Sequence, residues 1–105
     1  MLGIRETRRV AWRRQHAPQH YVGYVTVTED DVRLAGTAHH TGIDIALTIP
    51  HASISKVRVG NCHAEEVVGE RSVVLELEED EPILVRPLSV GPLDLDGFAR
   101  RLRPA

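Results

Sequence analysis

The 105-residue chain is poor in the residues that usually announce chemistry. Cysteine occurs once, at Cys62, so no internal disulfide can form, and a lone thiol fits a reducing compartment such as the cytoplasm. Aromatics are scarce: one tryptophan, two tyrosines and one phenylalanine. Lysine appears only at Lys56, and the remaining cations are arginines, a skew to which no mechanism is attached. No apolar run approaches the roughly 18 residues of a membrane-spanning helix. Residues 1–14 lack the apolar stretch and small-residue cleavage site of a secretory signal. The expectation is one soluble, cytoplasmic domain.

Catalytic motifs are missing too. There is no glycine-rich phosphate loop, no G-x-S-x-G and no H-E-x-x-H. Cys62 stands beside His63, but a nucleophile and its base must be adjacent in space rather than in sequence. The carboxylates cluster in turns, at 29–31 and 78–81, where solvated acids belong. His39-His40 and Cys62-His63 could supply ligands for zinc or copper. Their spacing matches no metal-site pattern, and neighbours in an extended chain point in opposite directions. These residues predict a non-enzymatic protein without cofactor or metal.

What the chain does contain is alternation. Hydrophobic residues make up 42% and charged residues 27%, enough for a folded core. Tyr21 to Thr28 reads as a strand, 29–31 as a polar turn, and Val32 to Gly36 as the return strand of a hairpin. After His39-His40-Thr41-Gly42 comes the cleanest alternation, with Ile43, Ile45, Leu47 and Ile49 on one face. Pro50 ends it. Further strands are expected over Ile54–Val59, Ser72–Glu78 and Ile83–Val85, with a short edge strand at Val67-Val68 and a turn at Gly69.

After Gly91-Pro92 the period changes. Leu95, Phe98, Ala99 and Leu102 form one helical stripe, with Asp94 as N-cap, arginines in the last turn and Pro104 as the stop. So short a helix, with Gly97 inside it, cannot stand alone. Phe98 and the leucines must therefore dock on the sheet.

Charge is uneven. Residues 1–14 hold five arginines against Glu6, a net of +4; residues 15–99 hold five cations against fourteen acids, −9; the last residues add three arginines. Segment 1–19 shows no single period, which predicts a basic arm, in weak helix or disorder, ahead of a β-domain over 20–105. In such an arm Arg8, Arg9, Arg13 and Arg14 around Trp12 would be the contacts for a polyanion. That partner would be a nucleic acid, with Trp12 stacking on a base, or an anionic membrane surface.

Six or seven antiparallel strands followed by one amphipathic helix describe an open barrel plugged at one end. The segments Gly23-Tyr24-Val25-Thr26-Val27-Thr28-Glu29-Asp30-Asp31-Val32-Arg33-Leu34 and Leu47 to Val59, together with Val73–Leu77 and the terminal helix, resemble the pleckstrin-homology-like (PH-like) superfold. The nearest kin in pattern are small bacterial PH-like and GRAM-like domains. The resemblance implies a binding scaffold for proteins, peptides or lipid headgroups. Phosphoinositide-binding members carry basic residues around the first hairpin loop; with Glu29-Asp30-Asp31 taken as that loop, a phosphorylated headgroup would be repelled there. The expected function is a protein- or peptide-binding module, self-associating or not, with the polyanion adaptor as the alternative and a metal- or thiol-dependent enzyme as a distant third.

Overall fold

The computed structural model describes residues 4–88 and 94–103. Among these residues nine strands precede one helix: β1 (Ile4–Arg14), β2 (Tyr21–Thr28), β3 (Asp31–Ala38), β4 (Asp44–Pro50), β5 (Ile54–Val59), β6 (Glu66–Val67), β7 (Glu70–Arg71), β8 (Val73–Leu77), β9 (Ile83–Pro87) and α1 (Leu95–Leu102). Seven of them form one antiparallel sheet in the order β4-β3-β2-β1-β9-β8-β5. The sheet curls into a half-barrel, and α1 packs its stripe inside the curl. The protein is mainly β with one C-terminal helix, PH-like in general shape.

The segment expected as a weakly helical or disordered arm is instead the central strand of this sheet. β1 pairs with β2 from Ile4↔Thr28 to Trp12↔Tyr21, and with β9 from Val10↔Pro87 to Arg14↔Ile83. Its inward row is Glu6, Arg8, Val10, Trp12 and Arg14. Only the middle of that row meets apolar core; Glu6 and Arg8 lie beneath α1, where Arg101 donates to the Glu6 carboxylate at 2.9 Å and the Arg8 guanidinium sits 5.7 Å from the centre of the Phe98 ring. Charges at both ends of the row mask the period of two.

Trp12 is buried at the centre of the core with Val10, Val25, Leu34, Val85 and Phe98. Its indole N–H donates to the Ala35 carbonyl at 3.2 Å, and its ring lies 4.6 Å from that of Tyr21. Room for these rings comes from Gly36, where a Cβ would stand 2.9 Å from Tyr21 Cβ and 3.1 Å from Trp12 Nε1. The partner opposite Gly36 is Gly23, whose Cβ would fall 2.1 Å from the Ala35 carbonyl oxygen. This glycine pair lets β2 and β3 approach closely beneath the indole.

The helix follows its expected frame. Asp94 caps it by accepting from the Gly97 N–H at 3.0 Å, and Phe98, Ala99 and Leu102 are buried. The turn at Gly91-Pro92 and the stop at Pro104 lie outside the described residues. Where a short edge strand at Val67-Val68 and a turn at Gly69 were expected, there is a small hairpin, β6–β7, turned by Val68 and Gly69, both with positive φ. Its Val67 covers Ala11, Val74 and Leu84 on the outer face of the sheet, making a second, smaller core.

Candidate functional site

The five arginine-arm residues do not assemble into one surface. Alternation along β1 sends Arg8 and Arg14 inward and Arg9 and Arg13 outward. Trp12, expected to stack on a base or sit at a membrane interface, is only 1% exposed. Its place in the core is the correction to that expectation. The Arg13 guanidinium donates to the carbonyls of Arg14, Gln15, Ala17, Ala64 and Glu66, tying the β1–β2 loop to the β6 hairpin. Arg14 pairs with Asp80 at 3.3 Å and Arg8 with Glu6 at 3.2 Å. Arg9 is exposed.

Because β1 is a strand, the first hairpin loop is 15–20, and Glu29-Asp30-Asp31 belongs to the second hairpin. The argument against a headgroup at the first loop therefore loses its residues. Asp31 accepts from the Thr28 hydroxyl at 2.8 Å and from Arg33 Nε at 3.0 Å. The Thr28 hydrogen bond, followed by Arg33, holds its carboxyl below the usual carboxylate range. Glu29 and Asp30 remain exposed.

The histidines form a different grouping from the one expected. His20 and His39 face each other across β2 and β3 with rings 4.9 Å apart and near-parallel, and His40 stands edge-on to His39. Burial, and then the two neighbouring imidazoles, lower the His20 pKa below its ordinary value. Stacked rings cannot both point their nitrogens at one ion without turning. Among the described residues, no three His, Cys, Asp or Glu side chains are arranged to hold a metal. Cys62 is exposed, and His63 Nδ1 lies 3.1 Å from Glu66.

Two sheet edges remain, and they differ. β5 is covered by α1, whose flanking Arg103 donates to the Val57 carbonyl at 3.0 and 3.3 Å. Arg58 on β5 bridges Glu65 and Glu76: Nε reaches Glu76 at 2.7 Å, and the two terminal nitrogens grip both oxygens of buried Glu65. The Arg58 contact, helped by the Asn61 N–H, lowers the Glu65 pKa to about 2. The same pair of carboxylates raises that of Arg58.

Among the described residues β4 carries no such cover, and no strand pairs with its outer side. Ala38 N–H donates to the Ile43 carbonyl and His51 N–H to the Asp30 carbonyl. Between these two bonds, hydrogen-bonded and non-hydrogen-bonded pairs must alternate. In the register Gly36↔Ile45, Leu34↔Leu47 and Val32↔Ile49, Ile45, Leu47 and Ile49 direct their backbone groups to β3. Ala46 and Thr48 direct theirs outward. Pro50, with no N–H, closes this row.

Clefts flank the row on both sides. On the outer face, the short side chains of Ala35 and Ala46 leave a shallow apolar groove beside Tyr24, which is 56% exposed. On the other side, between β4 and the β8–β9 turn, lies a cleft of about 430 Å³ with a floor of Leu47, Ile49 and Leu77 and a rim of Glu78, Glu79 and Asp80. The Glu78 N–H holds the turn against the Ser53 carbonyl at 3.0 Å. Ile43, counted in the buried row of this strand from its period, lies before β4 begins and is 64% exposed.

No protein-family model matches the chain, and no curated protein matches it. Among solved structures it is similar to the crystal structure of the C-terminal domain of an unknown protein from Leishmania infantum. The TM-score is 0.62 at 12% identity, over 96% of this chain and 81% of that one. At that identity the likeness concerns fold alone. Also among the described residues, no helix is long and apolar enough to cross a membrane.

The β4 edge was the feature hardest to find from sequence. Its alternation was plain, but whether a strand lies at an edge depends on pairings with β3 and on the absence of any with β5. Neither is encoded in the strand itself.

Proposed function

We propose that the protein is a PH-like interaction module that binds a protein or peptide segment in extended form along β4. The observation that carries the reading is the outward row of backbone groups at Ala46 and Thr48, flanked by an apolar groove on one face and a cleft with an apolar floor and an acidic rim on the other. Backbone pairing supplies affinity, and alternate side chains entering the two clefts supply selectivity. A second copy of the chain is one form such a partner can take. The alternative of a polyanion adaptor has less support, because its tryptophan is in the core and its arginines face both sides of the sheet.

Selection of a random-peptide display library on the immobilised full chain tests this. Enriched peptides should bind the native chain and lose binding to Ala46→Pro. Proline there removes an outward N–H while leaving the β3 ladder intact. A library without enrichment, or peptides that bind the proline variant equally well, overturns the reading.

A further inference from the structure

We infer, on the basis of that reading, that the segment received along β4 is basic. The argument is charge complementarity around the seam between β4 and the β8–β9 turn. Glu78, Glu79 and Asp80 rim the cleft beside Leu47 and Ile49, and all three are exposed. Asp80 is engaged by Arg14, whereas Glu78 and Glu79 have no ion pair among the described residues. At the Pro50 end of β4, the β2–β3 loop adds exposed Glu29 and Asp30. Asp44 stands at the other end, its carboxylate accepting from the Thr37 hydroxyl at 2.7 Å.

Among the described side chains, the cations near this edge do not balance it. Arg33 on the adjacent strand is bound to Asp31 at 3.0 Å, and Lys56 lies on β5, the opposite edge strand of the sheet. A strand added to β4 would turn one row of its side chains over the Leu47 and Ile49 floor, on the face where the acidic rim stands, and the other row onto the outer groove. A basic segment gains there; an acidic one is repelled. The same field argues against a second copy as occupant. Symmetric β4-to-β4 pairing would set two acidic rims against each other.

The test uses the full chain and two fluorescein-labelled ten-residue peptides, one alternating lysine with valine and one alternating glutamate with valine. In fluorescence anisotropy the lysine peptide should bind at least about tenfold more tightly at low salt. That preference should fall to within about twofold in ~0.5 M salt and in the Glu78→Gln/Glu79→Gln double variant. Ala46→Pro should abolish binding of both peptides. Equal affinity for the two peptides, no binding of either, or a preference untouched by the double substitution overturns the basic partner. Loss of equal binding in Ala46→Pro would still leave the edge reading standing. Lysine-peptide binding retained in Ala46→Pro sinks the edge itself. Light scattering that finds a dimer dissolved by Ala46→Pro assigns the edge to a second copy and also overturns the inference.

Discussion

β4 and β5 follow each other in the chain, separated only by the turn at His51–Ser53, yet they finish at opposite edges of the sheet. Their treatment is opposite as well. β5 has a helix against it, an arginine on one of its carbonyls and a buried carboxylate clamped to its side. β4 has a row of outward amides and carbonyls between an apolar groove and an acid-rimmed cleft. Uncovered edges invite pairing, and proteins usually blunt them with cover, charge or proline. Under the proposed function, the edge left available is the one that receives the partner.

The contrast can be broken most severely at α1. Phe98→Ala should cost about 3–5 kcal/mol, read as a shift of the denaturation midpoint. If cover is what distinguishes the edges, amide exchange should rise in β5 well before β4. Equal acceleration at both edges would count against it.

Next in size is the clamp on β5. Glu65 keeps its carboxylate form down to about pH 2, against an ordinary value of 4.5. A depressed folded pKa stabilises the protein above pH 4.5, and the contribution fades as pH falls from about 4.5 towards 2. The whole effect is at most about 3 kcal/mol. Glu65→Gln should flatten that part of the stability–pH curve while lowering stability at pH 7, because Arg58 then keeps Glu76 alone as a charged partner. An acid limb unchanged by the substitution would place the effect elsewhere.

The smallest effect is expected from Arg103→Ala, about 1 kcal/mol for the hydrogen bonds to the Val57 carbonyl. Its informative readout is association rather than stability. Freed of Arg103, β5 should begin to take up extended peptides, narrowing its difference from β4. A variant that binds peptide only through β4 would show that the helix body alone is sufficient cover.

Much of this architecture was legible in the residues, though not all of it. The helix was readable because Leu95, Phe98, Ala99 and Leu102 repeat at helical spacing behind a capping aspartate. Strands β2, β3, β5, β8 and β9 announced themselves by alternation between turn residues. β1 did not, because Glu6, Arg8 and Arg14 occupy inward positions at the charged ends of its row, and Ala11 is buried on the face that should have been polar. That burial depends on the β6 hairpin, a tertiary contact no local pattern contains. The candidate site was harder still. The acidic turns were visible as charge, but their nearness to Leu47 and Ile49 follows from the sheet order alone.

That order also has a consequence for how the chain is made. β1 leaves the ribosome first and can pair at once with β2, whose own neighbours β3 and β4 follow directly. Its other side must wait for β9, some seventy residues later in sequence. Until that long loop closes, at an entropic cost that local hairpins do not face, Trp12 and the row around it are half covered at best. During synthesis, therefore, the unfinished side of β1 is an edge exposed to whatever strand or chaperone arrives before β9.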